Sequence, residues 1–116
     1  MVYDFAVVGA GLAGLSIAQQ IQAQDGTVVL LDKSRGVGGR VATRRLHETH
    51  LDHGLPYFQA QGPYTRQLIE QYAHLLHPWP GKAGTYVAPG GNTAIAKAMA
   101  ADLTIHRHYC VTEILL

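Results

Sequence analysis

An α/β fold built around a parallel sheet follows from three observations. Two short runs, Phe5–Val8 and Val28–Leu31, are apolar at every position, as strands covered on both faces of a parallel sheet are. The stretch between them has helical periodicity. That stretch opens on Gly9, Gly11 and Gly14, the spacing G-x-G-x-x-G. Strand, helix and strand make a β-α-β unit, expected to cross over in the right-handed sense.

Each residue of this unit has a physical task. Gly9 lets the strand turn tightly into the helix. Gly11 lacks a Cβ, so a pyrophosphate can approach the backbone. Gly14 lets the helix pack closely on the strands. Leu12 and Ala13 stand at the start of the helix, where unpaired N–H groups carry partial positive charge toward a phosphate. The helix is predicted over 11–24. Leu15, Ala18 and Ile21 share one face with Ile17 beside them, while Gln19, Gln20, Gln22 and Gln24 can face water. Asp25-Gly26 is a stop signal. The second strand, Thr27–Leu31, ends on Asp32, whose carboxylate can accept both hydroxyl hydrogens of an adenosine ribose. A glycine-rich packing corner with no ligand would leave Gly11 and Asp32 unexplained together. These features predict a Rossmann-like sheet holding a dinucleotide.

A basic, glycine-rich stretch from Lys33 to Arg40 follows. It lies beyond the carboxyl end of the second strand, the edge at which open α/β sheets bind ligands. Gly38 and Gly39 can offer successive N–H groups to an anion, and Arg40 a charge-assisted bond to phosphate. Taken alone, the stretch also fits a flexible loop with a solvated arginine.

Gly9-x-Gly11-x-x-Gly14, Asp32-Lys33 and Gly38-Gly39-Arg40-Val41-Ala42-Thr43-Arg44 resemble the FAD-binding start of the flavin amine oxidase superfamily. Leu51-Asp52-His53-Gly54-Leu55-Pro56-Tyr57-Phe58 resembles the renalase-like branch of that superfamily, and Tyr86 to Lys97 and Val111 are similar to later segments of it. Leu55 and Asn92 depart from the branch, which has alanine and methionine there. The resemblance implies FAD as cofactor, held by Gly9, Gly11, Leu12, Ala13, Gly14, Asp32, Lys33, Gly38, Gly39 and Arg40. It also implies that His53-Gly54 comes near the flavin ring and that a backbone group near Val111 meets the adenine. Gly54 is then explained by the flat ring, or equally by a glycine ending a strand.

Val41–Leu46 and Leu51-Asp52 are expected to pair as a hairpin, with His47-Glu48-Thr49-His50 as its turn. Tyr57 and Phe58 read as core more than as pocket lining. Gly62-Pro63 opens a helix, and Leu68, Ile69, Tyr72, Leu75 and Leu76 place an apolar face on it. His77–Gly81 reads as a loop. Its Trp79 is either a packing residue or, as the resemblance implies, part of a substrate chamber. Pro89–Asn92 is a loop with Asn92 as helix cap, and Ile95, Met99 and Leu103 read as core. Thr104–Tyr109 and Cys110–Leu115 read as strand, with Cys110 a small buried hydrophobe.

The chain has 116 residues, 47% hydrophobic and 15% charged, with a formal net charge of +1. These values suit one globular domain and give no bulk pull toward nucleic acid or membrane. One cysteine leaves no internal disulfide and fits a reducing compartment. No secretory signal is evident, so a cytoplasmic location is expected. The seven histidines include no H-E-x-x-H and no cysteine pair, so no metal site is expected.

The expected organisation is an FAD-binding β-α-β unit over 1–45, the beginning of a substrate-side portion over 46–84, and a return to the nucleotide fold over 85–116. Relatives in the superfamily are longer, so this incomplete Rossmann-like unit is expected to be joined by a C-terminal portion. The expected activity is FAD-dependent oxidation of a small hydride donor, a reduced nicotinamide or an amine, with oxygen as acceptor. The catalytic residues stay unassigned. A nicotinamide-dependent dehydrogenase and a non-catalytic nucleotide-binding or interaction module stay open beside it.

Overall fold

The computed structural model describes residues 2–52 and 54–116. Three strands form a parallel sheet, β1 (Phe5–Val8), β2 (Val28–Leu31) and β8 (Thr104–His106), in the order β1-β2-β8. Phe5 pairs with Val28 and Val8 with Leu31. On the other side of β2, Val29 pairs with Thr104 and Leu31 with His106. Helix α1 (Leu12–Ala23) links β1 to β2. A reciprocal clasp pins this register at its start. Asp4 N–H donates to Thr27 Oγ1, and Thr27 N–H and Oγ1 donate to Asp4 Oδ2, each at 2.9 Å.

The chain divides into two compact units, Met1–Gly39 with Ala96–Leu116, and Arg40–Ile95. The first holds the parallel sheet. Its buried residues include Leu15, Ala18, Leu30 and Met99, on the apolar positions read from the sequence. Gln19 and Gln22 do not simply face water. Gln19 Nε2 donates to Met99 O at 3.2 Å and Gln22 Nε2 to Asp102 O at 2.9 Å. These bonds tie α1 to the end of α3 (Thr93–Ala100) and the turn beyond it.

Two expectations for this unit are corrected. Only β2 is covered on both faces, because β1 is an edge strand with Phe5 and Val8 52% and 62% exposed. The predicted strand running on to Leu115 stops at His106, and 107–116 carries no strand. Positive φ at His108 turns the backbone out of the ladder. Cys110 is consequently exposed and not buried.

The second unit contains a hairpin, β3 (Thr43–Leu46) and β4 (Thr49–Asp52), with Thr43 opposite Asp52. Its turn is tighter than predicted. His47 takes φ +55, so the chain reverses over His47-Glu48 and Thr49 and His50 join the strand. A second sheet, unforeseen in the sequence, has the order β5-β7-β6, from Phe58–Gln59, Thr85–Val87 and His77–Pro78. Strands of two or three residues show too little alternation to read. Helix α2 (Gly62–Gln71) begins at the predicted Gly62-Pro63 and buries Ile69. Among the described residues, no helix is long and apolar enough to cross a membrane.

Candidate dinucleotide site

The three fingerprint glycines are needed for different reasons. Gly9 has φ +101, which disfavours side-chain-bearing residues. A Cβ on Gly14 would collide with the Gly9 carbonyl oxygen and lie 3.3 Å from the Val7 side chain. Gly11 differs from both. Its φ of −77° and ψ of −179° suit any residue, and a Cβ there meets nothing nearer than 3.9 Å. The fold needs glycine at 9 and 14, whereas at 11 a Cβ would make only ordinary van der Waals contact with Gly38 O and Gly39 Cα. Gly11 immediately precedes α1, at whose start Leu12 and Ala13 stand. No side chain caps this helix, and its first turn carries no acid. Its leading N–H groups and the positive end of its dipole are free to meet an anion.

Asp32 follows β2. Its Oδ2 accepts Ala10 N–H at 2.6 Å and its Oδ1 accepts Ser34 N–H at 2.7 Å. Partial burial pushes its pKa up, but the N–H groups of Ala10 and Ser34, the Ser34 side chain and the Lys33 charge outweigh this, and the net shift is downward. An ionised carboxylate has about four acceptor positions, and the bonds from Ala10 and Ser34 leave part of that capacity for a ligand. Lys33 beside it is exposed. Gly38 and Gly39 have φ of +121° and +55°. Gly38 N–H donates to Ala10 O at 2.9 Å, and Gly11 and Gly38 form a parallel bridge. The second glycine pair is thus laid directly against the first glycine segment.

The stretch after β8 also reaches Asp32, which the sequence did not reveal. Asp32 N–H donates to His106 O at 3.0 Å, Tyr109 N–H to Asp32 O at 2.9 Å, and His108 N–H to Ser34 O at 3.2 Å. The His106 and Tyr109 rings meet edge to face at 5.3 Å. The only signal was position, since a third parallel strand must end at the same sheet edge as β2. Val111 lies two residues further on and is 37% exposed.

In the second unit, Arg40 is exposed, and Leu55 N–H donates to its carbonyl at 3.0 Å. A Cβ on Gly54 would collide with that same carbonyl oxygen, so backbone packing alone requires glycine there. His53 lies outside the described residues. Asn92 is fully buried and stands at the cap position before α3, its carbonyl accepting Ile95 N–H at 3.2 Å, but its side chain is bonded elsewhere. Its Oδ1 accepts Ala88 N–H at 3.0 Å, and its Nδ2 donates to Leu55 O at 2.9 Å and Pro56 O at 3.3 Å. Its N–H donates to Asp52 Oδ1 at 2.9 Å, which Thr43 Oγ1 also reaches at 2.7 Å. Asn92 is therefore a clasp between loops. Tyr57 and Trp79 are tilted rings 6.5 Å apart, with Lys82 Nζ 5.8 Å from the Tyr57 centroid.

Residues 7–72 match the family model of an NAD(P)-binding Rossmann-like domain. The chain belongs to this family. The match takes in every candidate residue of this Rossmann-like chain from Gly9 to Gly54, and Val111 falls outside it. Solved structures of putrescine oxidase, from work on redesign of its cofactor binding, are also similar. The wild type bound to putrescine aligns with a TM-score of 0.57 and 25% identity over 65% of this chain and 16% of that one. A triple-substitution variant aligns with a TM-score of 0.51 and 27% identity over the same shares. The chain thus spans 16% of the length of these oxidases.

Proposed function

We propose that this chain is the cofactor-binding portion of an FAD-dependent oxidoreductase. The observation that carries the reading is that neither φ nor packing demands glycine at 11, next to the uncapped start of α1. The fold gives no other reason for glycine there, and a phosphate needs one. Gly9, Gly11, Leu12, Ala13 and Gly14 would hold the pyrophosphate, and the remaining acceptor capacity of Asp32 the ribose hydroxyls. Gly38 and Gly39 lie against the fingerprint, and Lys33 and Arg40 supply positive charge. The resemblance to flavin amine oxidases adds His53, Gly54 and Val111. FAD, when bound, would supply the hydride acceptor at its flavin N5. This chain's residues would bind and orient it, which is the protein's share in cofactor chemistry.

The similarity to an oxidase solved with putrescine supports an amine as donor. The renalase-like Leu51–Phe58 stretch supports a reduced nicotinamide, which we place first, with oxygen as final acceptor and a cytoplasmic setting. The family's NAD(P)-binding description favours one further reading, a nicotinamide-dependent dehydrogenase. A visible spectrum of the purified protein with a mass of the released cofactor separates the two. A flavin spectrum and the mass of FAD are expected, whereas a colourless protein releasing NAD would replace this reading. Gly11→Val should abolish FAD retention while the chain still folds, because valine fits the local φ and fills the phosphate space.

A further inference from the structure

The Asp32 carboxylate does more in this structure than wait for a ribose. Both of its oxygens hold backbone N–H groups, and one of these belongs to Ala10, inside the fingerprint. Ala10 is fully buried, so its N–H has no water to fall back on, and an unpaired buried donor is costly. Its carbonyl accepts Gly38 N–H at 2.9 Å. A Cβ on Gly39 would stand 3.2 Å from Gly11 Cα, so the two glycine segments are in close contact. One short chain of bonds therefore runs from the carboxylate through the Ala10 peptide to Gly38.

We propose that Asp32 is a positioning residue for the phosphate loop, clamping Ala10 and through it Gly38, in addition to any bond it makes to a ribose. This inference rests on the dinucleotide reading above. Ala10 sits between two glycines, whose backbones have more freedom to lose on ordering than any others. A bond from a charged acceptor is stronger than a neutral one and fixes the peptide before the ligand arrives. A loop ordered in advance binds more tightly because less entropy is lost on binding.

The sign of one effect makes the idea testable. Removing the Asp32 charge should by itself favour an anion, since like charges repel. Loss of the clamp should do the opposite. Calorimetry on the 116-residue chain would compare ADP, 2′,3′-dideoxy-ADP and inorganic pyrophosphate with the parent, Asp32→Ala and Asp32→Asn. Dideoxy-ADP and pyrophosphate have no ribose hydroxyls for Asp32 to hold. Weakening of both by about fivefold or more in Asp32→Ala is expected, the scale of one net hydrogen bond. Asp32→Asn keeps an acceptor for Ala10 and should recover most of that loss. Unchanged or tighter binding of both probes by Asp32→Ala would overturn the clamp and leave only the ribose role. A parent that binds FAD and ADP but neither of the other probes would also overturn it. A parent that binds none of the nucleotides removes the dinucleotide reading, and the clamp with it. Should Asp32→Ala not fold, amide hydrogen exchange in the parent decides: slow exchange at both Ala10 and Gly38 supports the clamp, and unprotected exchange at Ala10 overturns it.

Discussion

Single residues in this chain carry opposite kinds of demand, and substitution should separate them. Gly14 is held by packing, because a Cβ there meets the Gly9 carbonyl. Gly14→Ala is expected to lower stability by about 1–3 kcal/mol, the usual scale of overpacking. Gly11→Ala should cost under about 1 kcal/mol, since only a modest capping preference is lost. Urea unfolding of the two variants would show the contrast, and equal losses would contradict it. The two acids set a pH dependence. Asp4 titrates below the ordinary aspartate value of 3.8 because Thr27 N–H, and then the Thr27 hydroxyl, bond its charged form. Asp32 is also lowered from 3.8, its N–H partners overcoming its burial. A carboxyl whose pKa is lower folded than unfolded stabilises the fold above the unfolded value. That contribution is lost as pH falls through the lower, folded value. Stability should therefore fall as pH drops below about 4, and Asp4→Asn should flatten that fall. An unchanged slope in urea titrations across this range would count against the Asp4–Thr27 clasp.

At the level of elements, β1, α1, β2, the hairpin, α2 and α3 were legible because each has a pattern long enough to read. Asp32 stood out in the sequence because it follows an apolar strand, at the carboxyl edge where open α/β sheets bind ligands. The β5-β7-β6 sheet was not, since strands this short are set by their neighbours. The stretch beyond β8 was misread for a related reason. Tyr109-Cys110-Val111 has strand-forming side chains, but His108 enters the left-handed region and the backbone leaves the ladder. Asn92 shows the same limit in one side chain. Before a helix it reads as a side-chain cap, whereas its side chain bonds Ala88, Leu55 and Pro56 and its N–H bonds Asp52. Asn92→Ala would bury an unpaired Ala88 N–H and strip both carbonyls of a donor. A loss of about 2–4 kcal/mol is expected, seen as a lower urea midpoint with little change in slope. A loss below about 0.5 kcal/mol, the level of an ordinary surface change, would show that the clasp is dispensable.

On the scale of the whole molecule, the strand that begins the sheet is also one of its two edges. Phe5 and Val8 stand open on β1, and an apolar edge strand is a template for pairing with another chain. The 116-residue protein is expected to self-associate as its concentration rises. Phe5→Lys should reduce this in light scattering, because a charged edge resists pairing, and equal association of the two proteins would point elsewhere. Cys110 has a consequence of a practical kind. It is the single cysteine in the sequence, it is exposed, and it directly follows Tyr109, whose N–H bonds Asp32. A maleimide dye would attach at this one place, within a residue of the backbone that flanks the acid. On the dinucleotide reading proposed above, its emission would then serve as a direct optical reporter of nucleotide arrival, usable even with colourless ligands, and its anisotropy would register self-association in the same cuvette.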